Sequence, residues 1–124
     1  MTSAHARQSA RSSHELPKDL AFALLSDQRR RYVLHALLRE EGVATMSELR
    51  DRLVTWEDDV DGAEITAELR EVHLPKFEAA GVVAYYTASD VVELLEPATD
   101  LVPYLELAAT DDFQGDADPQ SNAR

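Results

Sequence analysis

The sequence predicts a mainly helical domain carrying one small β-hairpin. Three observations predict it. Apolar residues recur at three- and four-residue spacing over most of positions 18–80. Two short β-branched and aromatic runs, 82–86 and 91–95, flank a four-residue turn. The whole chain has 124 residues, the size of one domain.

The elements follow in order. Residues 1–15 hold Ser, Ala, Arg and His but no aliphatic side chain beyond Met1, and read as a disordered tail. Pro17 opens a short apolar helix with Leu20, Phe22, Ala23, Leu24 and Leu25, since a first helical turn tolerates a missing N–H. Ser26 or Asp27 then caps a second helix whose stripe is Tyr32, Val33, Leu34, Ala36, Leu37 and Leu38. Gly42 is placed at the position after its C-cap. Thr45 and Glu48 fit a capping box and start a third helix with Met46, Leu49, Leu53 and Trp56 inward.

An acidic loop, Glu57 to Gly62, leads to a fourth helix from about Glu64 to Ala80, closed by Gly81. Its apolar positions are Ile65, Leu69, Val72, Leu74, Phe77 and Ala80, and Pro75 inside it predicts a kink or a split. The hairpin follows, with its turn at Thr87 to Asp90. Pro97 opens a last helix with Leu101, Tyr104, Leu105 and Ala108 on one face. The folded unit is expected over 16–110, and 111–124 reads as a disordered acidic tail. Three compact helices followed by a hairpin at their edge give the order of a winged helix-turn-helix.

Charge is the sharpest compositional feature, 24 acids against 12 bases, a net −12. It is uneven. Residues 1–39 carry seven bases (Arg7, Arg11, Lys18, Arg29, Arg30, Arg31, Arg39) and three acids, a balance of +4, so the rest stands at −16. Ten of the bases are Arg, and Ala is the commonest residue. Dense carboxylates with scarce Lys suit a halophilic protein in molar salt, where the Debye length is about 3 Å and like charges repel weakly. Net acidity otherwise argues against nucleic acid as a partner. Cysteine is absent, which excludes disulfides and thiolate metal sites. No apolar run spans a membrane and the first residues lack an apolar signal core, so a cytoplasmic chain is expected.

Leu25-Ser26-Asp27-Gln28-Arg29-Arg30-Arg31-Tyr32-Val33-Leu34 resembles the opening of arsenical-resistance-repressor-type winged helices. His73-Leu74-Pro75-Lys76-Phe77-Glu78-Ala79-Ala80-Gly81-Val82-Val83 resembles the end of their recognition helix and the start of the wing. With Trp56-Glu57, these segments are most similar to a haloarchaeal winged-helix domain family of unknown function, over roughly residues 18–108. The resemblance implies a DNA-binding regulator of transcription whose fourth helix enters the major groove of double-stranded DNA. The family's metal chemistry is not carried over, because the four His show no ligand spacing.

On that reading Thr66, Arg70, His73 and Lys76 face the bases, and Arg50 with Arg29, Arg30 and Arg31 contacts phosphate. The bland alternative for the arginine triplet is that one Arg pairs with carboxylates of the bundle and the others are solvated. A homodimer seam along Leu101, Leu105 and Ala108 stands beside simple packing of that helix on its own bundle. Glu64, Glu68 and Glu71 on the front of the fourth helix motivate a different class of function, a protein–protein interaction module on the same scaffold. No nucleophile, phosphate-loop or metalloprotease motif points to an enzyme, and no cofactor is implied.

Overall fold

The computed structural model describes residues 16–113. The tail expected at 1–15 and residues 114–124 of the tail expected at 111–124 lie outside the described residues. The elements are α1 (Lys18–Leu25), α2 (Gln28–Arg39), β1 (Val43–Thr45), α3 (Met46–Trp56), α4 (Gly62–Glu68), a π turn (Leu69–His73), α5 (Leu74–Ala79), β2 (Val83–Tyr86), β3 (Val91–Leu94), a 3₁₀ segment (Glu96–Leu101) and α6 (Val102–Asp112). Helices dominate and a three-stranded antiparallel sheet, in the order β1-β3-β2, closes one side. The arrangement is compatible with a winged-helix-like fold. No described helix is long and apolar enough to cross a membrane.

Local chemistry explains the element ends. Asp27, rather than Ser26, caps α2 by accepting from the Arg30 amide. The Thr45–Glu48 capping box is complete on both sides and starts α3. Two helices end in Schellman geometry. After α5, Gly81 takes φ 75° while the Val82 amide donates to Phe77 O at 2.9 Å. After α2 the left-handed residue is Glu41 (φ 62°), one place earlier than expected, and the Gly42 amide donates to Leu37 O at 2.7 Å.

The fourth helix is one rod interrupted by the π turn. Pro75 has no N–H to donate, and its ring would crowd the carbonyl four residues back in a regular α-helix. The chain answers with a widened turn just upstream, in which the Leu74 amide donates to Leu69 O. That turn changes which side chains face inward. Ile65, Leu69, His73 and Phe77 are buried at strict four-residue spacing. In an uninterrupted α-helix such a stripe drifts by about 120° over three repeats; one extra residue in the π turn takes most of that back. Val72, expected inside, is therefore exposed, and His73 takes its place in the core.

The core is formed by Leu34, Leu37, Leu49, Leu53, Ile65, Leu69, Leu74, Phe77, Val82, Val83, Val92 and Leu101, together with neighbouring smaller side chains. β1 was not expected from sequence. It pairs with β3 through Val43–Glu93, Ala44–Val92 and Thr45–Val91, so β3 is the central strand. The folded unit also runs past residue 110. α6 continues to Asp112, and Phe113 packs against Tyr32, His35 and Trp56 with ring centroids 4.9 to 5.5 Å apart. The boundary expected at residue 110 moves accordingly.

Candidate nucleic-acid interface

The arginine triplet forms the most heavily bonded part of the molecule. Adjacent helical residues project about 100° apart, so three in a row on the first turn of α2 reach three different parts of the fold. Arg29 makes a two-pronged pair with Glu57 (Nε to Oε2 2.9 Å, Nη2 to Oε1 2.6 Å) and donates to Glu68 Oε1 at 2.8 Å. It thereby ties the end of α3 to α4, and the Glu57 hydrogen bonds raise its pKa further. Arg30 is buried and donates to the carbonyls of Leu24 (2.8 Å) and Ala23 (3.0 Å), closing the C-terminal end of α1. Arg31 donates to both oxygens of Asp112 at 2.9 Å and to Leu25 O at 2.6 Å.

These guanidiniums are engaged by carboxylates and carbonyls of the chain itself, so a phosphate would have to compete with those partners for Arg29, Arg30 and Arg31. The bland reading holds only in its carboxylate pairing: two of the three, Arg29 and Arg31, pair with carboxylates, and Arg30 is buried on carbonyls rather than solvated. Asp112 is the end of the third tether. Burial pushes its pKa up, but the Arg31 bonds outweigh this and hold the carboxyl below its ordinary range. His35 Nε2 lies 3.4 Å from Asp112 Oδ2 without hydrogen-bond alignment and is otherwise unpartnered. Burial holds the His35 pKa down, against an upward pull from Asp112.

The fourth-helix residues divide. His73 is buried, 2% exposed, with Nδ1 3.3 Å from Arg30 Nη1 and Nε2 2.9 Å from Glu68 Oε1. It belongs to an internal network and reaches no outer surface. Its bond to Glu68 lowers the pKa of that carboxyl. The Thr66 hydroxyl donates back to Gly62 O at 3.0 Å, a bond within the rod. Arg70 and Lys76 do lie on the exposed side. Arg70 extends over the β2–β3 hairpin, where Nε donates to the Tyr85 hydroxyl at 3.2 Å and Nη2 to Asp90 Oδ2 at 3.0 Å. Tyr85 in turn donates to Asp90 Oδ1 in a short bond. The Tyr85 hydrogen bond is the main reason the Asp90 carboxyl sits below its ordinary pKa. Arg50, on α3, pairs with the adjacent Asp51 at 3.0 Å, both exposed.

The rod's exposed residues are Ala63, Glu64, Ala67, Arg70, Glu71, Val72, Pro75, Lys76, Glu78 and Ala79. Its exposed surface is therefore small-residued and of mixed charge rather than continuously acidic. Trp56 serves the shell of the core: it packs on Tyr32 and Phe113, with the Arg39 guanidinium 5.2 Å above its ring. Leu101, at the end of the 3₁₀ segment, and Leu105 of α6 are buried in the chain's own core, so the seam expected there has no exposed apolar face from those two residues. Leu107, on another side of α6, is 77% exposed. Among the described residues no group of three or more His, Asp or Glu side chains could hold a metal ion.

The fold, with this exposed rod beside a hairpin, defines a small, mainly helical domain carrying a three-stranded antiparallel sheet. A family model described as a domain of unknown function, DUF7344, matches residues 22–93, more than half of the chain, and the chain belongs to that family. No curated protein and no solved structure matches it.

Proposed function

We propose that the chain is a DNA-binding regulator of transcription of winged-helix type, acting in molar salt. The observation that carries this reading is the α4–π–α5 rod, packed on the bundle by one face and exposed on the other, with Arg70 and Lys76 on the open side next to the hairpin. A rod so placed suits the major groove, and the hairpin suits the adjacent backbone. Arg70, Lys76 and Arg50 are the proposed contacts; Thr66, His73 and the arginine triplet support the scaffold. Ala63 and Ala67 are exposed and small, which allows close approach and contact with thymine methyl groups. Glu64 and Glu71 oppose phosphate in dilute buffer, but at a Debye length of about 3 Å they repel it weakly.

The test is protection of sheared genomic DNA by the full chain across KCl concentrations up to molar. Sequence-selective protection is expected. A folded chain that protects no fragment at any concentration overturns the reading.

A second reading is a protein-interaction module. Val72 and Pro75, exposed and flanked by Glu71 and Glu78, favour it. Photo-crosslinking from position 72 at native salt decides between them: DNA adducts support the first reading, protein adducts the second.

A further inference from the structure

We infer that Asp90 of the wing turn masks Arg70 of the rod in the free chain, so that phosphate must displace a built-in carboxylate to reach the guanidinium. The inference rests on the DNA-binding reading and adds to it a device that sets affinity.

Asp90 is unusually well fixed for a turn residue. It holds a left-handed backbone (φ 60°). Its amide donates to Tyr86 O at 2.8 Å, and its carbonyl accepts from the Met46 amide, the first of α3, at 2.9 Å. The wing turn is therefore pinned to the N-terminal end of α3 by main chain alone, and the Asp90 side chain is not needed to hold it. That side chain instead accepts from Arg70 and from Tyr85. Arg70 Nε is turned onto the same Tyr85 hydroxyl. The Nε–Nη2 edge of the guanidinium, one of the two edges that can grip phosphate in a two-pronged contact, is thus occupied. Both partners are almost half exposed, 46% and 44% of their side chains. Exposed pairs of this kind contribute little to stability, so a phosphate arriving at the rod is able to replace the carboxylate.

Asp90→Asn is the informative change. Asn tolerates the left-handed backbone, keeps an acceptor for Tyr85 and removes the charge. In wild type the displaced Asp90 carboxylate takes up a cation and cancels the counterion that the Arg70–phosphate contact releases; Asp90→Asn removes that uptake, a net change of one ion. The slope of log affinity against log salt should steepen by about 0.9. Over the decade from about 0.1 M to about 1 M KCl this is about an eightfold change. Asp90→Asn should therefore bind sheared genomic DNA about eightfold tighter than wild type at the low end and converge with it at the high end. In an Arg70→Gln background the same change should do nothing, which assigns the effect to the pair. Tyr85→Phe, which frees one hold and keeps the charge, should give a smaller tightening and serves if Asp90→Asn does not fold.

Unchanged or weaker binding by both variants, with the wild type binding, overturns the mask and leaves the DNA reading standing. Absence of binding by wild type and variants alike overturns both.

Discussion

Removing the Asp112 carboxylate should unfasten the C-terminal end of α6. The side chain is 1% exposed and accepts from Arg31 Nε and Nη2 at 2.9 Å, with Gln28 Nε2 at 3.4 Å. Asp112→Ala leaves the Arg31 guanidinium inside the fold with only Leu25 O as a close acceptor. Breaking a buried pair from one side costs about 3–5 kcal/mol. The Arg31 side chain is 21% exposed, which places the cost near the lower end, about 3 kcal/mol. For a domain of this size that lowers Tm by about 12–20 °C, a large share of a total stability of about 5–15 kcal/mol. The assay is thermal and urea unfolding followed by circular dichroism at fixed KCl. A double change, Arg31→Met with Asp112→Leu, removes both charges and should recover to within about 1 kcal/mol of wild type. An Asp112→Ala chain within about 0.5 kcal/mol of wild type refutes the reasoning, since surface changes have effects of that size.

Three further outcomes are expected. Arg30→Met strips the last carbonyls of α1 of their donor and should cost about 2 kcal/mol, with faster hydrogen exchange concentrated in α1 as the check. Burial depresses the His35 pKa, so the unfolded chain takes up a proton at higher pH than the folded one. The stability His35 contributes is then present above its ordinary value of 6.5 and lost as pH falls below it. His35→Gln should remove that phase from a plot of urea midpoint against pH, and an unaltered profile contradicts the assignment. Gly81 and Glu41 form a matched pair, both left-handed after a helix. Gly81→Ala should cost about 1 kcal/mol from backbone alone, there being nothing within 4 Å of the new Cβ. Glu41→Gly should gain up to about 1 kcal/mol, and equilibrium unfolding of the two variants tests the signs.

Features whose cause is local were legible in the sequence. The Thr45–Glu48 box, the Asp27 cap and the 82–95 hairpin each depend on residues a few positions apart, and each forms. What escaped depends on partners far along the chain. The three residues of β1 carry no signal of their own; they become a strand because β3 offers Val91 to Glu93 to pair with. His73 reads as a surface residue until Pro75 is allowed to widen the turn before it and rotate it inward. The triplet looks like a basic patch because its acceptors, Glu57, Glu68 and Asp112, stand 28, 39 and 81 residues away. Of the candidate contact residues, Arg70 and Lys76 keep an exposed position and Arg50 a half-exposed one. The wing partner of Arg70 was not foreseen, although the Tyr85 and Asp90 pair at the two ends of one turn was a usable signal.

The tether from Arg31 to Asp112 also has a consequence for how the chain comes to be folded. A bundle of short helices with local contacts forms quickly, whereas a contact closing an 81-residue loop delays completion. During synthesis the segment 22–93 emerges before α6 exists. It must wait with the ring of Trp56, the guanidinium of Arg31 and the face that Leu101 and Leu105 later cover all open to water. The domain is finished only when Phe113 has joined Tyr32, His35 and Trp56.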